Sequence, residues 1–345
     1  MTAKGFVLAL LVAAGAVLAC LSLLGRSIGL EDTVRPENYL TLLNDNDTYG
    51  CKNSIRVHPD VLVVGDSHAY AAFDFNLLAK GLGTRRIATC TLGGSYTESL
   101  LFALRHYEAL GALPKTVIYS ASPRQFWEDE NKERMLFSHK VQIRAINEGD
   151  LLFSVQNIAA YLWGKDGHDY ERAQERLKKH TPLVEGMDET VIERVLKRSE
   201  STCETLIRWK RSLDNVRFTA DSEALVREIG EVVRRNGVEL FVVAVPESRW
   251  LEQQYPAWIR EKYRSLLNDF SPYAKAVMIY TAQGAGLGNR HFVNGSLRPD
   301  YAYDKWLEPD FLLNAGDGMD GDHMGDVRGG SGFLDRSLRW SPTTR

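Results

Sequence analysis

The fold of this chain is predicted most directly from the stretch Val61-Leu62-Val63-Val64-Gly65-Asp66-Ser67-His68. Four apolar residues in succession, three of them β-branched, are typical of a short strand buried on both faces. The run ends at Gly65, and residues 69–78 suit a helix. Ser67 is therefore expected in a tight strand-to-helix turn, where its hydroxyl is exposed and backbone N–H groups can face a developing oxyanion.

The same alternation of strand and helix continues along the chain. Further strands are predicted at 86–92, 116–120, 238–245 and 276–280, and helices at 73–80, 97–110, 222–235 and 261–270. Gly237 is expected to cap the helix that ends at residue 235. Strands that lead through a turn into a helix predict a right-handed parallel α/β sheet.

An apolar segment at residues 6–25 contains no charged residue and one hydroxyl, that of Ser22. Twenty helical residues span roughly 30 Å, the thickness of the hydrocarbon core of a bilayer. Lys4 and the free N-terminus precede the segment, and Arg26 follows it, with Glu31 and Asp32 soon after, which leaves a weak positive bias on the N-terminal side. This charge bias predicts a single-pass protein of the cytoplasmic membrane, with its N-terminus inside and its main domain periplasmic or extracellular. A cleaved signal peptide is the alternative.

The chain divides into five predicted parts. Residues 1–30 form the anchor or signal peptide, and residues 31–60 form a polar linker. The α/β domain occupies 61–127 and 216–345. Between them, at 128–215, charge density rises and strands disappear, and helical stretches are expected at 171–179 and 189–209. This segment is predicted to be a helical insertion, because it is too long for a simple loop.

Composition excludes several classes of function. A net charge of -3 and the lack of a Lys/Arg-rich run give no reason to expect nucleic acid. Neither Cys-x-x-Cys nor His-Glu-x-x-His is present, and the glycines of 284–288 lack dinucleotide spacing, so no metal and no cofactor are predicted. An exported domain lies in an oxidising compartment, where Cys51 and Cys90 could form a disulfide, although the sequence alone does not establish the pairing.

An acyl-transfer serine needs a base, a group that orients the base, and donors for the oxyanion. His323 is the candidate base, and Asp320 lies three residues before it in Asp320-Gly321-Asp322-His323. A reverse turn brings residues at this spacing together, so Asp320 can orient the imidazole. Asp317 and Asp322 are alternative orienting groups. Apart from His68, which adjoins Ser67, the other six histidines are expected to be surface or core residues.

Gly65-Asp66-Ser67 near the start and Asp320-x-x-His323 near the end together resemble the SGNH (GDSL-type) hydrolases. The resemblance implies a flavodoxin-like three-layer α/β/α domain, with Ser67 as nucleophile, Asp320 as the orienting carboxylate and His323 as base. The family also places a glycine after the second strand as an oxyanion donor. Of Gly93 and Gly94, strand length favours Gly94, which would act beside the N–H of Ser67.

A narrower resemblance is carried by Ser122-Pro123-Arg124-Gln125-Phe126, which is similar to the Ser-Pro-x-x-Phe segment of the DltD-like branch. That branch is named for the exported D-alanyl transfer protein of teichoic-acid D-alanylation. The strand that ends at Pro246, with Trp250 soon after, is similar to it too. The asparagine that SGNH enzymes usually carry after the third strand is absent. His68, Ser122 and Arg124 are the candidate substrate contacts.

The resemblance implies a membrane-anchored, exported O-acyltransferase that passes an acyl group from a donor to a polysaccharide, most simply an acetyl group. Exported relatives work beside a membrane-bound O-acyltransferase, so such a partner is expected. Two alternatives stay open. One is an exported carbohydrate acetylesterase or other serine esterase with the same triad, and the other is a non-catalytic scaffold subunit of an acyltransferase complex.

Overall fold

The computed structural model describes most of the chain up to residue 280. The described residues are 3–28, 36–43, 51, 54, 57, 59–66, 68–69, 73, 75–128, 131–144, 151–179, 216–245 and 255–280. Ser67, Asp320 and His323, the predicted triad, lie outside them, as does the helical stretch expected at 189–209.

Seven strands lie in the described part of the chain. They are β1 (Val61–Gly65), β2 (Ile87–Thr91), β3 (Thr116–Ala121), β4 (Trp127–Glu128), β5 (Arg217–Phe218), β6 (Glu239–Ala244) and β7 (Ala274–Ile279). Five of them form one sheet in the order β2-β1-β3-β6-β7, and every neighbouring pair is parallel. The predicted parallel α/β sheet is therefore confirmed.

Nine α-helices accompany these strands in the described residues. They are α1 (Ala3–Ser27), α2 (Pro36–Leu43), α3 (Phe75–Leu82), α4 (Thr97–Ala109), α5 (Lys132–Arg144), α6 (Leu151–Trp163), α7 (Lys165–Lys179), α8 (Ser222–Arg235) and α9 (Ala257–Asn268). A short 3-10 helix, Pro123–Phe126, follows β3. Helix α9 begins four residues before the predicted position, directly after Pro256, whose fixed φ suits the start of a helix.

Both faces of the sheet are covered, which explains why β1 is an unbroken apolar run. On one face Val63, Ile118 and Val243 pack with Leu42 of α2 and Leu78 of α3. On the other face the strands pack against α4, α8 and α9 through the buried residues Leu62, Val64, Leu240, Val242, Leu104, Val233 and Leu267. The carboxyl edge of the sheet is thus held between two apolar layers.

Helix α8 ends as the sequence predicts. Gly237 has a φ of +64°, in the left-handed region that glycine adopts without strain. Its N–H donates to the carbonyl of Arg234 over 3.2 Å, and the N–H of Val238 donates to that of Val233 over 3.0 Å. This pair of hydrogen bonds is a Schellman motif, which satisfies the last carbonyls and turns the chain into β6.

A disulfide joins Cys51 to Cys90. Cys90 is the fourth of the five residues of β2, so the bond fixes the segment before β1 to the sheet. Ser54, on the same segment, donates a hydrogen bond of 2.5 Å to the carbonyl of Cys51 and contacts the hydroxyl of Tyr107. Cys20, in α1, is free and exposed.

The chain leaves the α/β core at β4 and returns to it at β5, and these two short strands pair antiparallel. Between them lie α5, α6 and α7, and no strand occurs in the described residues of this interval. The buried ammonium of Lys132 joins α5 to its surroundings, lying 2.7 Å from Glu98 Oε1 and 2.5 Å from Thr219 Oγ1. The division into domains stays a prediction, but the ribbon of β4 and β5 lies where the insertion was expected to begin and end.

Helix α1 is long and apolar enough to cross a membrane. The candidate span Lys4–Gly25 has 22 residues, and its most apolar 18-residue window has a mean hydropathy of 2.8 and is not buried by the rest of the protein. Near its C-terminal end, where Gly25 is buried, α1 contacts α6. These features favour a single-pass anchor.

Candidate active site

Three loops meet at the carboxyl edge of the sheet, where β1, β2 and β3 end. In register, Gly65 of β1 lies beside Thr91 of β2 and Ser120 of β3. A methyl group on Gly65 would lie 2.8 Å from the Cβ of Ser120, so only glycine allows this approach. The residues that follow these three strands are consequently brought together, although they are far apart in sequence.

Asp66 is the centre of a buried polar cluster at this edge. One carboxylate oxygen, Oδ1, lies 3.0 Å from the backbone nitrogen of His68 and 2.8 Å from its ring Nδ1. The other, Oδ2, accepts a hydrogen bond of 2.8 Å from the hydroxyl of Ser122. All three side chains are buried.

Opposing effects set the pKa of Asp66. Burial is the largest single cause and raises the pKa. The charge of His68 and the hydrogen bonds from His68 and Ser122 together outweigh it, so the pKa lies below its usual value. Asp66 is therefore ionised and acts only as an acceptor, which requires the proton on Nδ1 of His68. Its carboxylate holds the ends of β1 and β3 together and is not free to act as a base.

The imidazole of His68 is buried and directed at Asp66. The sequence placed it at the start of a helix as a candidate substrate contact, and that role stays a prediction. Arg124, a second candidate, is partly exposed on the 3-10 helix after β3. Both lie at the carboxyl edge of the sheet, in the loops that contain Ser67 and Ser122.

Ser122 is held in place from behind by Gln125, a residue that the sequence did not single out. The amide oxygen of Gln125 accepts a hydrogen bond of 2.6 Å from the Tyr119 hydroxyl and one of 3.3 Å from the N–H of Ser122. Its amide nitrogen donates over 3.1 Å to the carbonyl of Ser120. Thr97 Oγ1 continues the network, 3.1 Å from the Tyr119 hydroxyl. These groups fix the loop after β3.

The loop after β2 is a tight turn at residues 92–95. It begins with a hydrogen bond of 3.0 Å from the N–H of Leu92 to the carbonyl of Gly65 and closes with one from Ser95 N–H to Leu92. Gly94, the third residue of the turn, has a φ of +61°, which explains the glycine. The structure thus places Gly94, the predicted oxyanion donor, at the carboxyl end of β2 beside the end of β1.

His139 of α5 contacts this turn and was expected only as a surface or core residue. It is buried, and its Nε2 donates to the carbonyl of Gly93 over 3.2 Å, so Nδ1 accepts the hydrogen bond of 2.9 Å from Ser99 Oγ. Burial lowers the pKa of His139, although the bond to Gly93 opposes this effect. A lone histidine in a polar helix carries no sequence signal for this role.

The contact has a consequence for Gly94. The carbonyl of Gly93 and the N–H of Gly94 belong to one planar peptide unit and point in opposite directions. By fixing the carbonyl, His139 also fixes the direction of the Gly94 N–H. The first helix of the predicted insertion thereby controls a backbone donor at the edge of the sheet.

Of the predicted site residues, the structure describes Gly94, His68, Ser122 and Arg124, and it brings His68 and Ser122 together on Asp66. Ser67 is adjacent to two described residues of this cluster. Among the described residues, no group of three or more His, Cys, Asp or Glu side chains could hold a metal ion.

No family model matches the chain, and neither a characterised protein nor a solved structure matches it. The chemical interpretation of this site therefore depends on the residues and geometry of the chain itself, together with the motif resemblance described above.

Proposed function

We propose that this protein is an SGNH-type serine O-acyltransferase, held at the outer face of the cytoplasmic membrane by α1. The observation that carries the proposal is the position of the Gly-Asp-Ser turn. The strand order β2-β1-β3-β6-β7 is that of flavodoxin-like doubly wound sheets, in which ligands bind where the order reverses, between the first and third strands. Ser67 follows the first of these strands, and Ser122 follows the other.

In the proposed reaction, His323 accepts the proton of Ser67, and Asp320 orients the imidazole. The Ser67 oxygen forms a bond to the acyl carbon of the donor, and the donor's leaving group departs with the proton held by His323. The N–H groups of Ser67 and Gly94 stabilise the oxyanion. A sugar hydroxyl then attacks the acyl-serine and gives its proton to His323, which passes a proton to the Ser67 oxygen as the bond between Ser67 and the acyl group breaks.

The buried cluster supports particular roles for its members. Asp66 keeps the turn that carries Ser67 attached to the loop after β3. Ser122 stands in the segment where SGNH enzymes usually have an asparagine that donates to the oxyanion, but its hydroxyl proton is directed at Asp66. The oxyanion is therefore stabilised by two backbone donors, without a third from this loop.

The proposed location has two supports. Helix α1 has the length and hydropathy of a membrane span. The disulfide between Cys51 and Cys90 is of a kind that persists outside the cytoplasm. By the resemblance, the acceptor is a cell-surface or secreted polysaccharide, the acyl group is acetyl, and a membrane-bound O-acyltransferase supplies it.

The experiment uses the full chain in detergent with p-nitrophenyl acetate, with and without an acetyl-free oligosaccharide. Nitrophenol release and the intact masses of protein and sugar are followed for wild type, Ser67→Ala and Ser138→Ala. Ser138 is an exposed serine of α5 and serves as the matched control. We expect acetylated sugar from wild type and Ser138→Ala and none from Ser67→Ala.

The other outcomes separate the remaining functions. Acetate released only into water, at a rate that the sugar does not change, identifies an esterase. No release and no acetyl adduct on Ser67 contradicts catalysis by this chain alone and leaves a partner-dependent enzyme or the scaffold. Acetylated sugar formed equally by Ser67→Ala contradicts the proposed nucleophile.

A further inference from the structure

Helix α6 exposes an unusually apolar surface. Leu151–Trp163 contains no charged residue, yet several of its large side chains are exposed. The exposed fractions are 41% for Val155, 53% for Tyr161, 68% for Leu162 and 75% for Trp163. Thirteen residues span about 20 Å, which is too short to cross a bilayer but typical of an interfacial segment.

An adjoining stripe of α6, which contains Ser154 and Asn157, packs against the C-terminal end of α1. Ser154 Oγ donates a hydrogen bond of 3.2 Å to the carbonyl of Ser22, and Asn157 Nδ2 donates one of 3.1 Å to that of Gly25. A methyl group on Gly25 would lie 2.4 Å from the backbone of Ser154, so glycine is required there. Small residues and interhelical hydrogen bonds of this kind are typical of helices that pair in membranes.

These contacts define the position of α6 along α1, and so its depth in a membrane that α1 crosses. Ser22 and Gly25 lie in the last turn of the candidate span Lys4–Gly25, where hydrocarbon meets headgroups. Because Ser154 pairs with Ser22 and Asn157 with Gly25, three residues further along each helix, the two helices run in the same direction. Trp163 then lies about 9 Å beyond Asn157 along the helix axis, at the headgroup level.

The order of side chains along α6 agrees with this depth. Val155 adjoins Ser154, at the hydrocarbon edge. Tyr161 and Trp163 follow at the level where aromatic side chains are enriched in membrane proteins. The helix ends at Gly164, which has a φ of +60°, and the charged helix α7 begins at Lys165.

We propose that α6 is an interfacial helix whose exposed face, formed by Val155, Leu162 and Trp163, inserts into the leaflet beside the C-terminal end of α1, with Tyr161 following the α1 contact on the adjoining stripe. The bilayer is the partner of this face, because α6 contacts α1 at the end of the candidate membrane span. Tyr170 of α7, the next helix, packs against the core cluster that includes α2. The membrane would therefore hold the α/β domain in a fixed orientation. This inference depends on α1 crossing the bilayer and is independent of the triad.

The test reconstitutes the full chain into phosphatidylcholine–phosphatidylglycerol vesicles. Cys20→Ser and Cys203→Ser are introduced first, so that the disulfide-bonded Cys51 and Cys90 are the only native cysteines left. Val155→Cys and Leu162→Cys are labelled with an environment-sensitive fluorophore. Leu10→Cys, within α1, is the membrane control, and Ala224→Cys, exposed on α8, is the matched control in water. Lipids carrying a nitroxide near the top of the acyl chain act as the quencher.

We expect the labels at positions 155 and 162 to emit at shorter wavelength than the label at 224 and to lose severalfold more emission to the nitroxide lipid. Equal quenching at 155, 162 and 224, with strong quenching at 10, overturns the interfacial helix while α1 still spans. No quenching at 10 overturns the premise and the inference with it. Protection of 155 and 162 that increases with protein density in the vesicle assigns the face to a second copy of the chain, which also overturns the proposal.

Discussion

At the scale of single residues, Asp66 joins the loop after β1 to the loop after β3, because its carboxylate accepts hydrogen bonds from both His68 and Ser122. In Asp66→Asn one acceptor oxygen is replaced by a donor, so the hydrogen bonds from His68 and Ser122 cannot all be kept. We expect a loss of about 3 kcal/mol in the free energy of unfolding, since buried hydrogen bonds to a charged group contribute about 1.5–3 kcal/mol each. Asp60→Asn is the control, because the pair of Asp60 with exposed Arg86 lies at the surface and its loss should cost less than about 1 kcal/mol. Urea unfolding measures both, and equal losses would contradict the role given to Asp66.

The same carboxylate predicts a dependence of stability on pH. The pKa of Asp66 is lower in the folded state than the value of about 3.9 expected in the unfolded chain. Its stabilising effect is thus fully present above pH ~4 and is lost as the pH falls through the folded pKa. We expect the unfolding free energy of wild type to fall more steeply below pH ~4 than that of Asp66→Asn. Parallel curves for the two proteins would show that Asp66 is not favoured in its ionised form.

His139 is predicted to act on catalysis through the Gly93–Gly94 peptide. In His139→Leu the carbonyl of Gly93 loses its donor, and the Gly94 N–H is no longer held towards the oxyanion. We expect kcat of acyl transfer to fall on the order of tenfold with KM little changed, because an oxyanion forms only after substrate has bound. His139→Gln, whose amide nitrogen reaches a similar position to Nε2, should restore most of the rate. A loss of the same size in both variants would indicate a packing role only.

At the scale of elements, burial decided which features the sequence could predict. Strands β1 and β6 were predicted to within a residue or two because a sheet covered on both faces requires continuous apolar runs. The ribbon of β4 and β5 could not be predicted, since strands of two residues have no periodicity. Asp66 and Ser122 belong to two separate sequence motifs, but their contact joins residues 56 positions apart and follows from strand order alone. The contact of His139 with Gly93 likewise comes only from the docking of α5.

The turn between α8 and β6 offers a prediction about one element boundary. In Gly237→Ala the added methyl group meets nothing within 4 Å, so the only cost is the left-handed backbone conformation. We expect a loss of about 1 kcal/mol in the free energy of unfolding. Gly237→Asn should lose less, because asparagine tolerates this conformation better than alanine does. If alanine and asparagine were equally destabilising, the cost would not arise from φ.

At the scale of the whole molecule, the disulfide between Cys51 and Cys90 determines how the chain enters the α/β core. The bond closes a segment of 39 residues that contains β1, α3 and most of β2, and it attaches the region before β1 to the sheet. On its membrane side that region leads back through α2, whose Tyr39 and Leu42 lie in the core beside α3. The path from the membrane to the sheet is therefore fixed at two places, by α2 on one face and by the disulfide at β2.

Removing the disulfide should destabilise the molecule without changing its fold. Closing a loop of 39 residues lowers the entropy of the unfolded chain by an amount equivalent to about 4 kcal/mol at 25 °C. We expect Cys51→Ala to lose a free energy of unfolding of this order, and reductant to lower the Tm of wild type but not that of the variant. Cys20→Ser, which removes the free cysteine of α1, is the matched control and should leave stability unchanged. Because the bond acts on the unfolded chain, circular dichroism of the folded variant should match wild type; an altered spectrum would show instead that the disulfide is needed to form the sheet.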